Sequence, residues 1–143
     1  MSLHNTKKAL FQAFIDHTDI DEAHIAVPNV SFTPPQDEIW ARLNFIPNQP
    51  EVGTLGDAGL DDVTGIFQID LNMVQGQGDE DLLAMAQCAL DYFTAGRYFK
   101  YQGQCVKIVS AGFKNGFETD SFYRVMLTIS WFAQLTRNIN SNK

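Results

Sequence analysis

Residues 63–95 constrain the fold more than any other part of the chain, because two different hydrophobic periods meet there across a glycine turn. In Gly65-Ile-Phe-Gln-Ile-Asp-Leu-Asn-Met-Val74, the apolar Phe67, Ile69, Leu71 and Met73 alternate with Gln68, Asp70 and Asn72, the period-two pattern of a strand with one buried face. Gln75-Gly-Gln-Gly-Asp-Glu-Asp81 follows. Its two glycines suit a tight turn, and its three acids suit the first turn of a helix, where the backbone dipole favours negative charge. A helix is predicted to start near Asp79, with Asp79 or Asp81 accepting backbone N–H bonds as its cap. Leu82, Leu83, Met85, Ala86, Ala89, Leu90 and Phe93 then recur at spacings of three and four, and Gly96 stands where the helix should stop. This is a scaffold signature and carries no catalytic group.

A chain of 143 residues suits one domain, residues 1–143, and can bury roughly two-thirds of its unfolded surface without staples. An apolar fraction of 45% and eleven phenylalanines exclude wholesale disorder, and no apolar run approaches the ~20 residues of a membrane-spanning helix. The formal charge of −7 and the scattering of the ten basic residues argue against affinity for a phosphate backbone. Two cysteines, Cys88 and Cys105, are too few for a secreted disulfide framework and are expected to be free thiols in a reducing compartment. The N-terminus lacks the basic segment and apolar core of an export signal.

In chain order, residues 6–17 are predicted helical, with Ala9, Leu10, Ala13 and Phe14 as the apolar stripe and Asn5 or Thr6 as the cap. Ile25-Ala-Val27, cut short by Pro28, makes at most a short edge strand. After Pro34-Pro35, residues 38–45 alternate, with Ile39, Ala41, Leu43 and Phe45 on one face and Trp40, Arg42 and Asn44 on the other. Residues 47–62 hold two prolines and three glycines without a period; such a connection is either an interaction loop or disordered, and is expected to be flexible. Tyr98–Tyr101 and residues 104–111 read as strands, Gly112–Gly116 as a turn, and residues 119–134 as the longest strand, ahead of a polar tail at 136–143. The resulting expectation is an α+β domain. It has a single, mainly antiparallel sheet of about four to five strands and two helices packed on one face, in the order α-β-β-α-β-β.

The candidate chemical sites are weak. Gly76-x-Gly78 between strand and helix resembles a phosphate loop, but the third glycine and the Lys-Ser/Thr are missing, and Asp79, Glu80 and Asp81 would repel a phosphate. His4, His17 and His24 with Asp16, Asp19, Asp21 and Glu22 match no metal-ligand spacing, and a solvated acidic connection accounts for them better. Cys88 and the serines sit in no nucleophile motif. The adjacent pairs Asp61-Asp62 and Glu80-Asp81 are a poor basis for acid–base work. No catalytic, metal or cofactor site is predicted.

Trp40-Ala-Arg, the Gly/Pro-rich loop, Gly65-Ile-Phe-Gln-Ile-Asp-Leu, Gly76-Gln-Gly-Asp, a helix ending near Phe93-x-x-Gly96 and the closing hairpin together resemble bacteriophage tail-terminator proteins over about residues 4–135. These are similar to the minor tail protein that caps long non-contractile tails. Many relatives carry a proline shortly before the glycine turn, where this chain has Val74-Gln75. The resemblance implies a non-enzymatic structural protein of a phage or prophage. It would form a ring, a homohexamer, on the last ring of the tail tube, end tube polymerisation and offer a surface to the head-completion or connector protein. Its place would be the virion tail, and the host cytoplasm during assembly. A net-negative subunit suits a ring through which DNA passes without being held. The polar face made by Arg42, Gln68, Asp70, Asn72, Arg124 and Thr128 is a candidate subunit contact, with plain solvated surface as the alternative. Two other readings stay open: another head–tail joining or tail-completion protein, and a small-molecule-binding or enzymatic α+β domain with dispersed site residues.

Overall fold

The structure, a computed structural model, describes residues 3–56, 59–76, 78–119 and 122–137. Its elements in order are α1 (Leu3–His17), a 3-10 turn (Glu22–His24), β1 (Ile25–Ala26), β2 (Trp40–Pro47), β3 (Glu51–Val52), β4 (Leu60–Val74), α2 (Glu80–Tyr92), β5 (Tyr98–Tyr101), β6 (Gln104–Thr119) and β7 (Phe122–Thr136). The strands form one sheet in the order β1-β2-β4-β7-β6-β5, with β3 pairing on β4 beside the end of β2. Over the described residues the fold is therefore α+β with two helices, as expected, but the sheet has seven strands there, not four or five, and it is mixed: β1 runs parallel to β2. The additional strands β1 and β3 are two-residue pairings, too short to leave a periodic trace in sequence.

β4 is the centre of the sheet, paired with β2 over residues 65–72 and with β7 along its whole length. Its inward residues Phe67, Ile69 and Leu71 are fully buried. They face α1 and α2, whose stripes (Leu10 and Phe14; Leu82, Ala86 and Ala89) close the core on that side. Phe67 lies between Phe11 and Phe93, at ring distances of 5.5 and 5.6 Å. Each fully buried side chain of this size contributes about 1.5–3 kcal/mol. β4 also begins earlier than the alternation suggested, at Leu60.

The turn expected at Gly112–Gly116 is absent. β6 runs through it to Thr119, paired with β7, with register irregularities between Ile108 and Ser110 and between Lys114 and Phe117. Gly116 serves a close approach: a Cβ there would lie 2.1 Å from the Tyr123 hydroxyl oxygen on the neighbouring strand. The reversal from β6 to β7 falls at residues 120–121, outside the described residues. By contrast, Gly76 and Gly78 do make the turn into α2, with φ of 89° and 77°, a region that favours glycine.

Residues 47–62, expected to lack secondary structure, hold β3 and the start of β4. The connection is fastened at its far end by Arg137, which donates to Asp61 Oδ1, to the Thr54 carbonyl and to the Gly56 carbonyl, while its own N–H donates to Gly59 O at 2.9 Å. The remainder of the polar tail, 138–143, lies outside the described residues.

Candidate interaction surface

Alternation places a second set of side chains on the sheet face opposite the helices. The pairing register lines them up in rows: Trp40, Asn72 and Arg124; then Arg42, Asp70, Met126 and Lys114; then Asn44, Gln68, Thr128 and Gly112. All six candidate contact residues thus share one face, but they are not a uniformly solvated surface. Arg42, Gln68, Arg124 and Thr128 are half-buried, while Asp70 and Asn72 are 3% and 0% exposed.

The physical reason is that this face is partly covered and internally bonded. Trp40, only 2% exposed, packs against Phe32 from the connection before β2 and edge-on against Phe122, with ring centroids 5.2 Å apart in both cases. The Arg42 guanidinium lies 5.7 Å from the Trp40 ring, within range of a cation–π attraction. Arg124 Nε donates to Asn72 Oδ1 at 2.6 Å, Asn72 Nδ2 donates to the Asp70 carbonyl, and Gln68 Nε2 donates to Asp70 Oδ1 at 3.0 Å. Buried polar groups must be paired, and here they pair within the subunit. Asp70 and Asn72 are therefore structural. The accessible remainder of the face is carried by Arg42, Gln68, Arg124 and Thr128.

At the start of α2, Asp79 occupies the N-cap position, but its side chain makes no cap hydrogen bond. Its Oδ2 instead accepts from the Tyr123 hydroxyl at 3.3 Å, tying β7 to the helix start. Partial burial raises the Tyr123 phenol above its usual value, and the neighbouring Asp79 carboxylate adds to the rise. Asp81 is exposed in the first helical turn.

The three histidines are dispersed. His4 lies in the first turn of α1, His17 stacks on Tyr92 at 3.9 Å, and His24 Nδ1 lies 3.0 Å from Glu38 Oε2. Among the described residues no three His, Cys, Asp or Glu side chains converge on a metal-sized point. Cys88 and Cys105 are free thiols. Two concavities lie near these residues: an open groove of about 510 Å³ between the helices, touching Phe14, His17, Met85 and Cys88, and an acidic one of about 400 Å³ beside His24, Glu38 and Asp81. No helix among the described residues is long and apolar enough to cross a membrane.

Sequence reasoning missed the Arg137 clasp and the Asp79–Tyr123 contact. Neither leaves a local signal, since the partners are 76 and 44 residues apart. An aromatic residue, Trp40, among outward polar positions was the available sign that part of the outer face is covered.

Among known proteins, a family model described as phage tail terminator protein matches residues 5–131, from the first turn of α1 into β7. Six solved chains share the fold. One of them, 19% identical, covers 94% of this chain and 97% of its own length at a TM-score of 0.74. No protein of curated function matches.

Proposed function

Because the chain belongs to the phage tail terminator family, we propose that it ends polymerisation of the tail tube by capping the last ring as a homohexamer and provides the surface to which the head-completion or connector protein joins. The family supports a structural role in the phage tail. The observation that carries the proposal is the extent of the match, which takes in both helices, the central strands and most of β7. The formal charge of −7 supports a ring that lets DNA pass, since like charge repels the backbone. On the outer face, Arg42, Gln68, Arg124 and Thr128 are accessible enough to meet the tube or the connector, whereas Asp70 and Asn72 hold the face together from within.

The test is tail assembly with and without this protein. Tails made without it should overrun their normal length and fail to join heads, and the purified protein added back should restore both. Tails of normal length that join heads in its absence would refute the capping role.

A further inference from the structure

The acids and bases of this chain are drawn to opposite sides of the sheet. Residues 16–38, which lead from the end of α1 through the 3-10 turn and β1 towards β2, hold Asp16, Asp19, Asp21, Glu22, Asp37 and Glu38 and no Lys or Arg. Residues 92–113 hold Arg97, Lys100 and Lys107 and no Asp or Glu; they span β5 and much of β6. β1 and β5 are the two ends of the strand order. The groove of about 510 Å³ between the helices belongs to the acidic side: Phe14, Ile39, Met85 and Ala89 give it an apolar lining, and the exposed Asp19 and Asp81 stand beside them. On the basic side, Phe99 turns inward onto Tyr92 and Phe93, so strand alternation turns its neighbours Tyr98 and Lys100 to the face opposite the helices. Tyr98 is 58% exposed, Lys107 is its register partner, and Lys100 Nζ lies 6.0 Å from its ring.

We propose that the Tyr98 ring of one copy enters the groove between the helices of a second copy, where Lys100 and Lys107 meet Asp19 and Asp81. Charge complementarity selects this occupant. Two subunits of formal charge −7 repel each other on the whole, so they associate best where an acid-free surface of one meets an acidic surface of the other. A two-fold contact of groove with groove would set carboxylates against carboxylates, and one of β5 with β5 would set lysines against lysines. Tyrosine suits the role, because its ring buries about 150–250 Å² of surface while its hydroxyl can stay with polar groups, and flanking charges belong at the rim of such a contact. Knob and groove lie on opposite faces of the sheet, so one subunit cannot satisfy itself and can engage a neighbour on each side. Such a contact is heterologous and closes into a ring when the rotation allows. It rests on the ring proposed above for its closure, and on the segregation of charge for its position.

The test exchanges charge between the two sides, on the full chain. Lys100→Glu with Lys107→Glu makes the β5 side acidic, and Asp19→Lys with Asp81→Lys makes the groove basic; folding of each is checked by circular dichroism and thermal melting. Sedimentation up to millimolar concentration should show the parent associating beyond dimers, and each variant alone associating at least about tenfold more weakly, because like charges then meet. Mixed in equal amounts, the two variants should regain association, since each acidic β5 side then finds a basic groove and each basic β5 side an acidic one. Tyr98→Ala should weaken association while the subunit stays folded. The contact is overturned if the parent stays monomeric at millimolar concentration, if either charge variant or Tyr98→Ala associates like the parent, or if the mixture associates no better than its components. If a charge variant does not fold, the parent gives the reading through Cys88, which lines the groove: its alkylation should slow on association, and a rate equal in dilute and associated protein overturns the contact. These measurements read only the isolated protein. Failure of the capping role appears separately, in tail length without the protein.

Discussion

Replacing Gly65 by alanine should destabilise the domain, although the new residue is a single methyl group on a strand whose backbone any residue can adopt. A Cβ at this position would lie 2.6 Å from Ile46 O, 2.6 Å from Trp131 Cζ2 and 2.9 Å from Pro47 Cα. Contacts under 3.0 Å are essentially never seen, so neighbours must retreat by at least about 0.4 Å. Two of the three atoms belong to the backbone of β2, which is hydrogen-bonded to β4 and cannot turn aside. The third belongs to a fully buried indole stacked on Phe45 at 5.1 Å. Overpacking of this kind costs about 1–3 kcal/mol, and the lost chain entropy of glycine returns roughly 0.5–1 kcal/mol. The net loss is then on the order of 1–2 kcal/mol, a fall in Tm of roughly 3–6 °C for a domain of this size. Urea denaturation at unchanged m-value would measure it. Gly112→Ala is the control, because a Cβ there meets nothing within 4 Å and should leave stability unchanged or slightly raised. The Trp131 indole N–H has no acceptor among the described residues, so Trp131→Phe gives up no hydrogen bond. Combined with Gly65→Ala it should recover part of the loss, the part due to the ring and not to Ile46 O. A Gly65→Ala protein as stable as the parent, or a Gly112→Ala protein equally damaged, would refute the close-approach argument.

Asp79→Ala and Tyr123→Phe should each lower stability, and together little more than either alone, because they remove the same hydrogen bond; additive losses in denaturation would mean that Asp79 acts independently as a cap. The raised pKa of Tyr123 sets a direction for pH: the unfolded phenol ionises first, near pH ~10, so this stabilisation is complete below that pH and is lost as pH rises through the higher folded value. Alkaline melting curves should therefore fall more steeply for the parent than for Tyr123→Phe, and equal slopes would remove Asp79–Tyr123 as the cause. Arg137→Ala should cost about 1–2 kcal/mol and speed hydrogen exchange at Gly59 and Leu60, whose loop Arg137 fastens; unchanged exchange would show that β3 alone holds it. Exchange in residues 47–62 should also slow on assembly, and equal, strong protection in a dilute monomer would mark the stretch as an ordinary packed element.

What could be read from sequence is what a short period encodes. β4, α2 and most of α1 and β2 announce themselves because each buries one face, and Phe67, Ile69, Leu71, Leu82 and Ala86 are buried where the two periods place them. The sequence pattern ends β6 too early because Gly112 and Gly116 read locally as a turn. Their meaning depends on another strand: Gly116 leaves room for the ring of Tyr123, and that pairing exists only once the sheet has formed. β1 and β3, at two residues each, have no period to detect.

Polar alternation misled in one particular way, and the consequence bears on assembly. Gln68, Asp70 and Asn72 occupy the face opposite the core, but solvent is only one way to satisfy a polar side chain. Here Arg124, backbone carbonyls and one another do it instead, under the aromatic cover of Trp40 and Phe32. A polar network satisfied inside the subunit has little to gain by exchanging those partners for a neighbour's, since an exchanged hydrogen bond changes the free energy by only about 1 kcal/mol. The face is therefore expected to supply rigidity within the subunit. Asn72→Ala should accordingly lower monomer stability more than it weakens association, measured by denaturation of the dilute protein and by sedimentation at high concentration; a variant as stable as the parent that fails to associate would refute this reading.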